Sequence, residues 1–175
     1  MLVLIGNEFI KLKHSLVLLI CLAAPACAAG FEIMVMLGHP GPRPWVQTLG
    51  EGAAVWAYFL LPMAVTAMTV LLAQIEHGTR MWNHLMTLPR LRAEIFAAKM
   101  ATAVVLLAFM TLVLYVALYG AVLLATAILP GAAATGDPQW ADTFSSLFLM
   151  DGAALTMTVV QLWLALRFRL SLIHI

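Results

Sequence analysis

Four long runs of apolar residues alternate with short polar segments along the chain. The runs cover residues 15–37, 52–75, 100–129 and 144–166, and none contains more than one Asp, Glu, Lys or Arg. Their apolar positions follow one another without the alternation of half-buried strands, so helices are favoured. A helix needs about 20 apolar residues to cross the hydrocarbon core of a bilayer. The pattern therefore predicts an all-α polytopic membrane protein with four transmembrane helices.

Composition supports the same conclusion. Hydrophobic residues make up 64% of the chain and charged residues only 10%, whereas about a quarter of a soluble domain is charged. Lipid must therefore contact much of the protein surface. The formal net charge of +1 argues against a nucleic-acid partner. Cys21 and Cys27 both fall in the first apolar run, where we expect small packing residues and no disulfide.

The basic residues predict the orientation in the membrane. Eight of the nine Lys and Arg residues lie before the first run, between the second and third, or after the fourth, and Arg43 is the exception. Because an excess of basic residues marks the cytoplasmic side, both ends of the chain and the segment 76–99 are expected in the cytoplasm. The loops 38–51 and 130–142 are then outside, and Trp45, Trp56 and Tyr58 are expected in an outer aromatic belt.

The first apolar run has two interpretations. Lys11, Lys13 and the Ala-Cys-Ala sequence at 26–28 resemble a cleavable signal peptide or a lipoprotein site. However, apolar residues resume at 33–37 and complete a full-length span. We therefore favour a retained membrane anchor.

The N-terminal residues 1–14 have an amphipathic pattern. One helical face carries Leu2, Ile5, Phe9 and Leu12, and the polar face includes Glu8, Lys11 and Lys13. This pattern predicts a short helix that lies in the membrane interface before the first span.

The polar segment 76–99 predicts a second interfacial helix. Met81, Trp82, Leu85 and Met86 form an apolar stripe at helical spacing. Pro89 ends this helix, because the residue before a proline disfavours helical backbone. A new helix then runs into the third span. A horizontal helix joined to two spans is suited to transmit a push from a cytosolic partner.

This segment resembles the cytoplasmic loop of the ABC-2 type permeases, and in particular the branch that includes lantibiotic-immunity and bacitracin-resistance permeases. The resemblance is carried by Glu76-His77-Gly78-Thr79, Trp82, His84-Leu85, Thr87-Leu88-Pro89, Arg92, Ile95 and Ala98-Lys99, and by the opening residues 7–15. Two departures are the basic residue directly after Pro89 and the wider spacing between Gly78 and Trp82.

The resemblance implies a permease domain of six spans, of which residues 1–169 supply the first four. It implies a second permease subunit and a cytosolic ABC ATPase as partners. The residues that would dock the ATPase are Glu76, Gly78, Trp82, Leu85, Leu88, Pro89 and Arg92. The chain has no phosphate-loop motif, so we expect ATP and Mg²⁺ on the ATPase and no cofactor or enzymatic activity here.

The resemblance further implies a bacterial plasma-membrane protein that exports or extracts a peptide antibiotic or a lipid-interacting substrate. An integral membrane enzyme and a membrane scaffold are the alternatives. An enzyme would use the acids Glu32 and Asp151, because carboxylates at membrane depth are costly and often functional. Both acids lie near the outer ends of their spans, so we expect them to be solvated or to snorkel to the interface, in preference to a substrate or proton role. Gln161, nearer mid-membrane, is expected to form an interhelical hydrogen bond.

The last six residues, 170–175, read Leu-Ser-Leu-Ile-His-Ile. They match the translation of an adapter used in sequencing libraries. We therefore expect a non-native tail on a truncated reading frame, and assign no function to residues after Arg169.

Overall fold

The computed structural model describes residues 6, 8, 10–12, 15–39, 41–78 and 92–167. It contains four helices that are long and apolar enough to cross a membrane, which confirms the predicted all-α polytopic architecture. The first is α1, Leu16–Gly38. Its N-terminus is capped by Ser15, whose side-chain oxygen accepts a hydrogen bond from the Val17 backbone N–H at 3.3 Å.

The second span is longer than predicted at its start. It consists of α2, Trp45–Val55, one π-helical turn, Trp56–Leu60, and α3, Leu61–Gly78. The expectation that residues 38–51 form a loop is therefore wrong from Trp45 onwards. The polar residues of the first turns are tolerated because they satisfy one another: Glu51 accepts hydrogen bonds from Arg43 at 3.1 Å and Gln47 at 3.0 Å.

The remaining spans are α4, Arg92–Ile128, and α5, Trp140–Arg167. A 3₁₀ turn, Pro130–Ala132, follows α4. Two short strands, β1 at Arg43–Pro44 and β2 at Ala134–Thr135, pair in parallel and join the two connecting loops. We call this end of the molecule the loop end, and the opposite end, which carries residues 8–12, the N-terminal end.

The helices form a bundle whose spatial order differs from the chain order. Helix α1 packs against α4 and α3, and α5 packs against α4 and α3. The order around the bundle is therefore α1, α4, α5, α3. Helix α4 supplies much of the core, through the buried residues Leu106, Leu107, Met110, Leu114 and Leu118.

The loop end is closed by aromatic side chains. Tyr119 of α4 donates a hydrogen bond to the Pro138 carbonyl at 2.8 Å and stacks on Trp140, with ring centroids 4.1 Å apart. Trp45 lies against the same tyrosine, at 5.7 Å between centroids. The predicted belt residue Trp56 is instead fully buried in the core, whereas Tyr58 is 87% exposed. Trp56 therefore packs the bundle and does not face lipid headgroups.

Candidate functional site

The N-terminal segment is attached to α4 by a group of three charges, Glu8, Lys11 and Lys99, which we call the Glu8 cluster. One carboxylate oxygen of Glu8 accepts from Lys11 Nζ at 3.0 Å, and the other accepts from Lys99 Nζ at 3.0 Å. The side chain of Lys99 is only 5% exposed and that of Glu8 only 15%. A buried ammonium is costly without a partner, and Glu8 supplies a carboxylate to this lysine of α4.

This contact joins distant parts of the sequence. Leu12, four residues after Glu8, is also buried in the core, so the described part of the N-terminal segment is held by apolar packing as well as by charge. Helix α4 begins directly after residues 79–91. A displacement of residues 79–91 would therefore act on α4, the helix to which Glu8 is bound.

Sequence reasoning did not assign a site role to Lys99. The sequence did contain an indication of such a role, since Lys99 is a basic residue between Ala98 and Met100 at the start of an apolar run. Such a residue needs a partner, but only the fold shows that the partner is Glu8.

The predicted docking residues lie around the connection between α3 and α4. Glu76 and Gly78 belong to the last turns of α3, and Arg92 is the first residue of α4. The other predicted docking residues, Trp82, Leu85, Leu88 and Pro89, fall outside the residues that the structure describes, as does Lys13. Their assignment stays a prediction.

Glu32 is buried, and the expectation of a solvated side chain is wrong. Its exposed fraction is 1%, because α2 begins early and covers this part of α1. Neither carboxylate oxygen has a hydrogen-bond partner within the described ranges. The charged groups that act on it, Arg43 and Glu51, already pair with each other at 3.1 Å. Among the described residues, Glu32 thus lies inside the protein without a counterion of its own.

Gly52 of α2 makes this close approach possible. A Cβ atom at this position would lie 2.6 Å from a methyl carbon of Leu118 and 3.2 Å from a carboxylate oxygen of Glu32. The buried indole nitrogen of Trp56, one helical turn further on, also lacks a partner within the described ranges. This part of the bundle is therefore tightly packed around polar groups that have no hydrogen-bond partner in the described part of the chain.

Asp151 is the second acid that we expected to be solvated, and it is also buried, with 6% exposed. The hydroxyl of Thr111 on α4 donates a hydrogen bond to one of its carboxylate oxygens at 2.7 Å. The contact between α4 and α5 shields it from solvent. Its other oxygen has no partner among the described residues.

Gln161 forms the interhelical hydrogen bond that we predicted for it. Its side-chain amide donates to the hydroxyl of Thr66 at 3.0 Å and so links α5 to α3. That hydroxyl in turn donates to the Pro62 carbonyl at 2.7 Å.

The buried acids do not form an obvious catalytic pair. Glu32 lies near Leu118, and Asp151 binds Thr111. These two contacts are seven residues apart on α4, or about 10 Å along the helix axis. In the described part of the chain, no group of three or more His, Cys, Asp or Glu side chains is placed to hold a metal ion.

Gly52→Ala is expected to destabilise the bundle. The added methyl group would press on the fully buried Leu118, and overpacking costs about 1–3 kcal/mol. The gain in helix propensity, about 1 kcal/mol, offsets only part of this. A thermal unfolding assay in detergent should show a net loss of up to about 2 kcal/mol.

Gly120→Ala is the matched control, since no atom lies within 4 Å of a Cβ there. This variant should be neutral or more stable than the parent. Equal behaviour of the two variants would contradict close packing at Gly52.

Comparison with known proteins gives one match. The family model described as "ABC-2 family transporter protein" matches residues 4–175. No curated protein and no solved structure matched the chain.

Proposed function

Because the chain belongs to the ABC-2 family of transporter proteins, and is thus a multi-pass membrane permease component of an ABC transporter, we propose that it couples ATP hydrolysis on a cytosolic subunit to movement of its membrane helices. The N-terminus and residues 76–99 would lie in the cytoplasm of a bacterial cell, and the loop end outside. ATP and Mg²⁺ would bind to the ATPase. A second permease subunit, identical or different, would complete the translocation unit.

The observation that carries the proposal is the Glu8 cluster on α4, the helix that follows the predicted docking segment along the chain. The pairing of Glu8 with Lys99 at 3.0 Å fixes the N-terminal segment to the first turns of α4. Since residues 79–91 immediately precede α4, a force from a docked ATPase would reach α4 and the N-terminal segment together.

The proposed substrate is an amphipathic molecule that partitions into the membrane, such as a peptide antibiotic, and the proposed role is immunity or resistance. This class fits a bundle that leaves large apolar side chains exposed on several helices, among them Met34, Tyr58, Leu149 and Leu123. A substrate in the bilayer would reach such surfaces laterally.

Trp82→Ala and Leu85→Glu test the docking role. Each should reduce co-purification of the cognate ABC ATPase or abolish the stimulation of ATP hydrolysis, because each removes or charges the apolar stripe that would bind it. Buried aromatic anchors at interfaces typically contribute at least about 2 kcal/mol, or about 30-fold in affinity.

Phe59→Ala is the matched control, since this aromatic residue is 62% exposed on the second span, outside the proposed docking segment. It should leave both measurements unchanged. Normal ATPase binding and coupling in both docking variants would refute the docking role of residues 79–91.

A further inference from the structure

A groove at the loop end lies between α2 with its π-helical turn on one side and the start of α5 on the other. Its volume is about 490 Å³, within the usual range of small-molecule sites. The α2 side is lined mainly by small residues, Gly50, Ala53, Ala54 and Ala57, with Val46, Leu49 and Tyr58. The α5 side is lined by Gln139, Asp142, Thr143, Ser146, Leu147 and Met150.

The polarity of the groove changes along its length. On the α5 side, the first lining residues are polar, from Gln139 to Ser146, and the deeper ones, Leu147 and Met150, are apolar. The lining residues of α2 and of the π-helical turn that follows it extend from Val46 to Tyr58. This is about 18 Å at the rise of an α-helix. One leaflet of the hydrocarbon core is about 15 Å thick. The groove therefore has a polar mouth at Gln139 to Ser146. Below the mouth its lining is apolar, and the groove extends over about the thickness of one leaflet.

The mouth is acidic. Asp142 is the one charged residue among the described residues that line the groove. Arg43, the basic residue of the connecting loops, is already paired with Glu51 at 3.1 Å. A positively charged group is thus favoured at the mouth, where the side-chain amide of Gln139 and the hydroxyl of Ser146 can also donate hydrogen bonds.

We propose that this groove binds one phospholipid whose headgroup carries a primary ammonium. The ammonium would pair with Asp142, and the phosphate would accept hydrogen bonds from the neighbouring polar side chains. One acyl chain would lie over the floor formed by Gly50, Ala53, Ala54 and Ala57. This site does not depend on the ATPase or on the proposed transport substrate.

Photocrosslinking tests the proposal directly. The full chain is reconstituted in vesicles of phosphatidylcholine that contain a phosphatidylethanolamine with a diazirine in one acyl chain. Adducts are mapped by mass spectrometry of the peptides. We expect adducts within residues 46–58 and 139–150. Unlabelled phosphatidylethanolamine should compete about ten times better than phosphatidylglycerol, a difference of about 1.4 kcal/mol.

Two pairs of variants separate headgroup and chain recognition. Asp142→Asn should remove the headgroup preference, and Asp142→Glu should keep it. Ala54→Trp should fill the groove and remove the adducts. Ala67→Trp is its control, because it fills an entirely different groove of α3, lined by Pro62, Met63, Thr66, Ala67 and Val70. It should leave the adducts unchanged.

Several outcomes would overturn the proposal. These are adducts outside the two lining segments, no difference between the competing headgroups, a preference that persists in a folded Asp142→Asn variant, and adducts that survive Ala54→Trp. Labelling by a cationic amphipathic peptide with no labelling by the lipid would also overturn it. Thermal unfolding of each variant establishes folding, since an acid in the first turn also stabilises a helix.

Discussion

Lys99→Glu is expected to abolish coupling between ATP hydrolysis and the permease, and to reduce the amount of assembled protein. The new carboxylate would lie beside Glu8 at a position that is 5% exposed. Breaking a buried ion pair costs about 3–5 kcal/mol, which is a large part of the stability of a typical protein. Detergent-solubilised yield, thermal unfolding and stimulation of ATP hydrolysis by the cognate ATPase would measure the loss.

The exchanged pair, Glu8→Lys with Lys99→Glu, should recover part of what the single variant loses, because it restores opposite charges between positions 8 and 99. The recovery is incomplete because Lys11, which pairs with Glu8 at 3.0 Å, would then lie beside a lysine. The corresponding control is at the loop end, where Glu51→Lys breaks the pair with Arg43. Glu51 is 39% exposed, so this variant should cost no more than about 1 kcal/mol. An exchanged pair no better than Lys99→Glu alone would show that the charge pairing is not what matters.

Glu32→Met is expected to increase thermal stability while it reduces transport. Methionine fills a similar volume and needs no partner, whereas both oxygens of Glu32 lack one among the described residues. Removing such a group is expected to gain about 1–3 kcal/mol. Buried, unsatisfied acids in membrane helices are usually retained for function, so the gain in stability should accompany a loss of activity.

Glu51→Gln is the matched control for removing an acid at this end, since Glu51 has hydrogen-bond partners and contact with solvent. The Glu51→Gln variant should change neither thermal stability nor transport strongly. If Glu32→Met were less stable than the parent, Glu32 would have favourable interactions beyond those described. If it were stable and fully active, Glu32 would have no role in transport.

Hydropathy was sufficient to predict the four spans and their order, because the cost of placing polar residues in lipid dominates the sequence of a membrane helix. It failed where polar residues satisfy one another. Gln47 and Glu51 looked like loop residues, yet their mutual hydrogen bond lets α2 begin at Trp45. The π-helical turn at Trp56–Leu60 has no sequence signal that we recognise.

The interhelical hydrogen bond of Gln161 could be predicted from the sequence, whereas the burial of Glu32 could not. The hydrophobic pattern placed Glu32 near the outer end of its span, but it says nothing about which helix covers that end. Burial depends on Gly52 and Leu118, which are distant in sequence. In the same way, Glu8 lies in an amphipathic segment and Lys99 at the start of an apolar run, and their pairing over ninety-one positions is a property of the bundle.

Helix α4 also relates the protein to the thickness of its membrane. Lys99, held by Glu8, and Tyr119, which donates to Pro138, are twenty positions apart in this one continuous helix. That separation is about 30 Å, which equals the thickness of a typical hydrocarbon core. Lys99 and Tyr119 can therefore each lie at one of the two boundaries of the hydrocarbon core when the core is about 30 Å thick and α4 is nearly perpendicular to the membrane. A thinner membrane would force the helix to tilt, and the tilt would pull on the Glu8 cluster and on the aromatic contacts of the loop end at the same time.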